Sequence, residues 1–254
     1  MAILTETGEA IARIQIARPE RKNAITADMY EALSAALMAA EADASVRVIL
    51  LHGLPGIFSA GNDLEDFLHR PPQQADAPVF RFMAALSGAA KPVVVAVNGA
   101  AVGIGTTLLL HCDLAYCADD SRFSLPFVNL GLCPEFASSL LLPLAAGYHR
   151  AAEKLLLGEP ASAEEALDMG LVNRILPPAE VLGHARRQCE RLAQLAPGAL
   201  RETKRLLKAG WREAVARTIA EEAGAFGRLL QSVEAREAFS AFLERRPPDF
   251  SKSR

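Results

Sequence analysis

A chain of 254 residues suits one large domain with a sizeable buried core. With 51% hydrophobic and 22% charged residues, it is not a disordered polypeptide. Its net charge of −3 argues against a protein whose main business is nucleic acid, which needs a basic face, but leaves small anionic ligands open.

The opening MAILTETGEA has acidic residues where a secretory signal needs a basic and then an apolar stretch, so a cytoplasmic location is expected. IARIQIAR (11–18) alternates apolar and polar residues as a half-buried strand does. After the turn RPERKNA, Thr26 is placed to cap a helix over 28–43. RVILLHG (47–53) and PVVVAVNG (92–99) read as fully buried strands, with CDLAYCADD (112–120) as a third and SRFSLP (121–126) after it. The apolar run 92–110 is interrupted by Asn98, Gly99, Gly103 and Gly105. It reads as a strand, a glycine-rich turn and a helix TTLLLHCDLA, not as a membrane span. Strands separated by helices predict a parallel-rich α/β core.

From about residue 135 the pattern turns helical, with a break near Gly147 and a capping box at Ser162 and Glu165. An amphipathic helix over 179–196 is expected to end at Pro197-Gly198. Two or three helices follow to 246, with Gly210 as a break. Cys112, Cys117, Cys133 and Cys189 show no CxxC spacing. The five histidines (His52, His69, His111, His149, His184) form no HxxxH pair. Reduced thiols and no metal are therefore expected.

Three segments carry chemistry. In FSAGNDLEDF (58–67) small residues after a strand let the backbone approach a ligand, and Gly61 permits a tight turn. An ordinary strand-to-helix loop is the other reading, with Asp63, Glu65 and Asp66 suiting a helix start. NGAAVGIG (98–105) ends a buried strand and opens a helix, where unpaired N–H groups favour developing negative charge; close core packing would also use glycines there. LGLCPEFASS (130–139) holds a lone carboxylate, Glu135, which as a bare pattern equally suits the first turn of a helix beginning near 136.

Together these segments resemble the enoyl-CoA hydratase/isomerase (crotonase) family over about residues 8–250. The PE stretch resembles the peroxisomal-type Δ3,Δ2-enoyl-CoA isomerase branch, matching at Leu130, Gly131, Pro134, Glu135, Ser138 and Ser139. The resemblance implies a ββα spiral core over 1–198 and a helical C-terminal trimerisation part over 199–254, giving a homotrimer or a dimer of trimers. It implies an acyl-CoA substrate with CoA entering only within the thioester, no other cofactor, and neither nucleic-acid nor membrane partner. The amides of Asn62 and Ile104 would bind the thioester oxygen, so that only the backbone of Ile104 is used. Lys22, Ala60, Gly61, Asp63, Leu64, Gly103, Thr107 and Phe127 would line the substrate site. Lys22 stands where the family often has a basic residue near the CoA phosphates, although a solvated turn lysine is the alternative. Thr107 and Phe127 occupy the positions of the two glutamates of family hydratases, and neither side chain is a general base near neutral pH. A single-glutamate isomerase is therefore expected, with Glu135 shuttling the proton in a pocket made apolar by Phe127, Leu132 and Phe136. The alternatives are a hydratase-type reaction and a non-catalytic acyl-CoA-binding scaffold.

Overall fold

The computed structural model describes residues 2–72 and 76–252, so the expected limits at residues 1 and 254 lie outside the described residues. A hairpin of β1 (Ile3–Gly8) and β2 (Ile11–Ile16) leads into α1 (Ala27–Ala42). Strands then come in pairs: β3 (Val48–His52) with β4 (Ile57–Ser59), β5 (Val93–Val97) with β6 (Ala100–Val102), and β7 (Leu114–Ala118) with β8 (Arg122–Ser124). Helices α2 (Leu64–His69) and α3 (Pro78–Ser87) separate the first two pairs, and α4 (Ile104–Thr107) separates the second and third. Next come α5 (Ser138–Ala146), α6 (Tyr148–Leu157), β9 (Ala161–Ser162), α7 (Ala163–Asp168) and β10 (Arg174–Leu176). The chain closes with α8 (Val181–Ala193), α9 (Pro197–Ala209), α10 (Arg212–Leu230) and α11 (Val233–Glu244).

The first strand of each pair joins a six-stranded sheet of order β1-β2-β3-β5-β7-β10. The second joins a four-stranded sheet of order β4-β6-β8-β9. This is the expected α/β ββα spiral with a helical C-terminal region. The large sheet is parallel except for β1 at its edge. Its central strands read as unbroken apolar runs because both faces are covered. Ile49 and Leu51 of β3, with Val93, Val95 and Val97 of β5, pack toward α1 and α3 through Leu33, Leu37, Phe82 and Leu86. The alternate residues Val48, Leu50, Val94 and Ala96 meet Val181, Ala185 and Cys189 of α8. The two-residue period of the strands thus sorts one apolar sequence into two cores.

Thr26 caps α1 by accepting the Met29 N–H, and the Ser162–Glu165 capping box forms in full. Two expectations need correction. The helix TTLLLHCDLA is only one α turn and a 3₁₀ turn to His111. The Asp113 carboxylate accepts the Val93 N–H at 2.7 Å and its own N–H donates to the Val93 carbonyl at 2.8 Å, pulling the chain back into strand pairing. Pro197 does not end a helix but begins α9, a position that has no need of its missing N–H.

One buried side chain ties the loop after β2 to β4. Asn23 is fully buried and shares its amide hydrogens among the carbonyls of Ile16, Ile57 and Phe58 at 3.0–3.2 Å, while its Oδ1 accepts the Arg18 N–H at 2.7 Å. Replacing Asn23 with Ala removes the bonds to the Ile16, Ile57 and Phe58 carbonyls and to the Arg18 N–H, those to Ile16 and Phe58 being buried. We expect a stability loss on the order of 3 kcal/mol, read as a lower urea midpoint at unchanged m-value.

Candidate active site

The exit of β4 makes the first wall of the site. Gly61 has φ +84°, and a Cβ there would stand 2.7 Å from the Val102 carbonyl, so only glycine fits the approach. The loop is pinned from both sides: Ala60 N donates to Lys22 O (3.0 Å), Gly61 N to Ser59 Oγ (3.1 Å), Ile25 N to Gly61 O (2.8 Å) and Asp63 N to Ile25 O (2.9 Å). Among the described residues the Asn62 N–H, in the middle of this run, has no acceptor. Asp63 caps α2 through the Asp66 N–H and pairs with Arg18 at 2.7 Å. Its burial opposes ionisation, yet the Asp66 amide and the Arg18 guanidinium outweigh that and hold its pKa below the usual carboxylate value.

The second wall follows β6. Gly103 has φ +53°, its N–H donates to Ser124 O at 2.9 Å, and its carbonyl accepts the N–H groups of Thr106 and Thr107. The amides of Ile104 and Gly105, at the start of α4, have no acceptor among the described residues. Because Val102 lies against Gly61, the two loops meet where their free amides sit. The Ile104 side chain is a different matter. It is 1% exposed and belongs to the main core, so the residue is not merely a carrier of its amide.

A cavity of about 470 Å³ runs along this seam. Lys22, Ala60, Gly61, Asn62, Asp63, Leu64, Gly103 and Phe127 all line it, joined by Phe67, Phe226 and Phe239. Arg21, exposed Lys22 and Arg246 supply cations; Arg21 pairs with Glu65 at 2.9 Å, and Arg246 pairs with Glu237 at 2.5 Å. Thr107, Ile104 and Glu135 lie outside that lining. Glu135 opens instead into an adjacent space of about 20 Å³, walled by Val79, Phe80, Met83 and Phe136. Phe67 and Phe226, edge to face at 5.9 Å, border both spaces. Of the three apolar neighbours expected for Glu135, only Phe136 faces its pocket. Phe127 and Leu132 face the larger cavity.

Glu135 is 7% exposed, and the Thr107 hydroxyl donates to its Oε1 at 3.2 Å. Burial pushes its pKa up to about 8; the Thr107 bond pulls it down, and the nearby Glu222 carboxylate raises it further. It is not a helix-capping side chain, as the bare pattern had allowed. Phe136 and Ala137 follow in left-handed conformation, at φ 57° and 56°, and α5 begins only at Ser138. Such a pair of non-glycine residues is strained. It is held by the His111 Nε2–H donating to Phe136 O at 2.7 Å, by Ser138 donating to the Glu135 carbonyl, and by the Ala137 N–H donating to Glu222. Burial lowers the His111 pKa to about 3, so the ring is neutral and has one N–H to give. Tyr30, whose buried phenol also has a raised pKa, makes a very short hydrogen bond to Asn62 Oδ1. Glu222, His111 and Tyr30 were not singled out from sequence. Only Glu222 left a signal there, as a carboxylate on the stripe Ile219, Glu222, Phe226 of α10.

The sequence profile of the enoyl-CoA hydratase/isomerase family matches residues 6–253. The chain belongs to that family. Human enoyl-CoA delta isomerase 2 is 33% identical over 251 residues, 96% of this chain but 64% of the longer human protein. The crotonyl-CoA hydratase of Syntrophomonas wolfei is 31% identical over 255 residues, 98% of this chain and 97% of that protein. A crystal structure of an enoyl-CoA hydratase/isomerase from Pseudoalteromonas atlantica T6c superposes with TM-score 0.95 at 38% identity, covering 99% of this chain and 100% of that one. As an enzyme of the enoyl-CoA hydratase/isomerase family, the protein acts on acyl-CoA. Among the described residues no helix is long and apolar enough to cross a membrane, and no three His, Cys, Asp or Glu residues cluster as metal ligands.

The raised pKa of Glu135 makes stability depend on pH in a defined sense. Its folded value, about 8, exceeds the unfolded value of 4.5. The folded state therefore binds the extra proton and loses relative stability as pH rises from 4.5 to about 8, then levels off. Glu135→Gln removes this dependence. The variant is expected to gain on the native chain by a few kcal/mol across that window, measured as the difference in urea midpoint at pH 5 and pH 8.5.

Proposed function

We propose that the protein isomerises 3-enoyl-CoA to trans-2-enoyl-CoA through Glu135 as a single proton shuttle. The carboxylate takes a proton from C2, and the electron pair spreads through C3=C4 and the thioester carbonyl. The oxygen gains negative charge against the Asn62 and Ile104 amides, each worth about 3–4 kcal/mol where such donors have been removed from other enzymes. Protonated Glu135 then delivers the proton to C4, leaving the double bond at C2=C3. No outside proton, oxidant or cofactor is required. Lys22 and the loop Ala60–Leu64 would hold the CoA portion along the larger cavity. The exposed apolar residues Leu206, Leu207, Trp211 and Phe242 of the C-terminal helices suit a trimer or a dimer of trimers.

The observation that carries this reading is a buried carboxylate bonded to the Thr107 hydroxyl, with its pKa pushed up to about 8 by burial and, among the described residues, no cation paired with it. Such a group both accepts and returns a proton near neutral pH. Hydration, the competing family reaction, uses two carboxylates. Thr107 and Phe127 stand at the positions of that pair, and Thr107 instead donates to Glu135.

Parallel assays with 3-enoyl-CoA and 2-enoyl-CoA test the reading. Isomerisation should dominate, with kcat/KM rising through neutral pH and flattening near pH 8, and Glu135→Gln should lower it at least about a hundredfold while CoA-ester binding survives. Dominant hydration, or near-native turnover by Glu135→Gln, would overturn it.

Thr107→Val removes the hydroxyl that holds the Glu135 pKa down. The half-maximal pH of kcat/KM should therefore move upward, with the plateau rate changed by less than about an order of magnitude. Loss of all turnover in a folded Thr107→Val enzyme would instead assign the hydroxyl to substrate or water.

A further inference from the structure

Glu222 lies 87 residues beyond Glu135, in the helical C-terminal region, and is 7% exposed. Its Oε2 accepts the Ala137 N–H at 2.5 Å. Its Oε1 accepts both the Ser139 N–H at 3.0 Å and the Ser139 hydroxyl at 2.5 Å. Helix α5 has no side-chain cap from its own N-cap residue, Ala137. A carboxylate borrowed from α10 therefore satisfies the amides that the start of α5 leaves open. The Ala137 amide belongs to the left-handed turn that follows Glu135, and the Ser139 amide to the first turn of α5.

We propose that Glu222 is a positioning residue for Glu135: from α10 it locks the left-handed turn after Glu135 and places a second negative charge beside it, making proton transfer depend on the seating of the C-terminal helices. This rests on the shuttle reading of Glu135. Around the two carboxylates stand few other titratable groups. Tyr30 on α1 and Cys133 both feel the Glu135 charge, and Arg228 on α10 faces Cys133. His111 stacks on Phe136 at 3.8 Å and is kept neutral by burial, with Lys208 of α9 behind it. Among the described residues none of these supplies a cation to Glu135. Burial raises the Glu222 pKa, while the three bonds from Ser139 and Ala137 favour its charged form.

Three variants are compared with the native enzyme on 3-enoyl-CoA: Glu222→Gln, Glu222→Asp and Glu135→Gln. Glu222→Gln keeps the volume but turns an N–H toward one of the donors. It should lower kcat by about tenfold or more, the scale of a displaced catalytic group, at a KM within about twofold. Its half-maximal pH should move downward, because a like charge is gone. Glu222→Asp keeps the charge and shortens the reach. It should lose kcat with little movement of the pH profile, and it carries the test of positioning if Glu222→Gln does not fold. An inactive Glu135→Gln beside Glu222 variants with native kcat and pH profile, whatever their melting temperatures, would overturn the inference and leave the shuttle standing. An active Glu135→Gln would overturn both.

Discussion

The site depends on a place where two successive turns of the spiral touch backbone to backbone. A Cβ on Gly99 would lie 1.9 Å from the Gly56 carbonyl, one on Gly61 2.7 Å from the Val102 carbonyl, and one on Gly105 3.1 Å from Ser59. All three contacts join the β3–β4 segment to the segment that runs from β5 through β6 into α4. At this distance there is no room for side chains, so what the two segments present to the cavity is peptide. Among the described residues, the amides of Asn62 and Ile104 have no acceptor at this crowded seam. The fold and the free amides are one constraint seen twice.

Glu135 is set by the opposite circumstance. Glu135 stands in an apolar recess among Phe, Val and Met side chains, with one hydroxyl donor and a second carboxylate in its field. Desolvation and like-charge repulsion both favour the neutral form, and the Thr107 hydrogen bond offsets them only in part. Such a group destabilises the fold at alkaline pH, and the strain of the turn adds to it. The surrounding bonds from His111, Ser138 and Glu222 make that conformation tolerable. Asp63, equally buried, shows the contrast: Arg18 and the Asp66 amide keep it ionised, and its work is to fix the loop.

Much of this was legible because it is periodic or local. The buried strands, the Thr26 cap and the Ser162–Glu165 box follow from spacing within a few residues, and the glycine-bearing loops announce close approach. The first strand was not foreseen. Its hairpin turns on Glu9 and Ala10, both left-handed, where an Asn-Gly pair would have given the usual signal. The short β6 was hidden inside a glycine-rich turn. The partners of Glu135 were invisible for another reason. Tyr30, His111 and Glu222 reach the Asn62 side chain and the turn after Glu135 from three separate elements, and no local pattern encodes that convergence. The apolar shell was assigned to sequence neighbours, but a chain that reverses at Phe136 sends Phe127 and Leu132 into a different cavity.

The recess beside Glu135 has room for about one water molecule, and Phe67 and Phe226 stand between it and the larger opening. If Glu135 is the proton shuttle proposed above, that confinement would slow exchange of its proton with bulk solvent relative to return to the substrate. On the shuttle reading proposed above, the hydrogen removed from one carbon would be the same hydrogen delivered to the next but one. A substrate labelled with deuterium at C2 would carry its label to C4, and heavy water would leave little mark on the product.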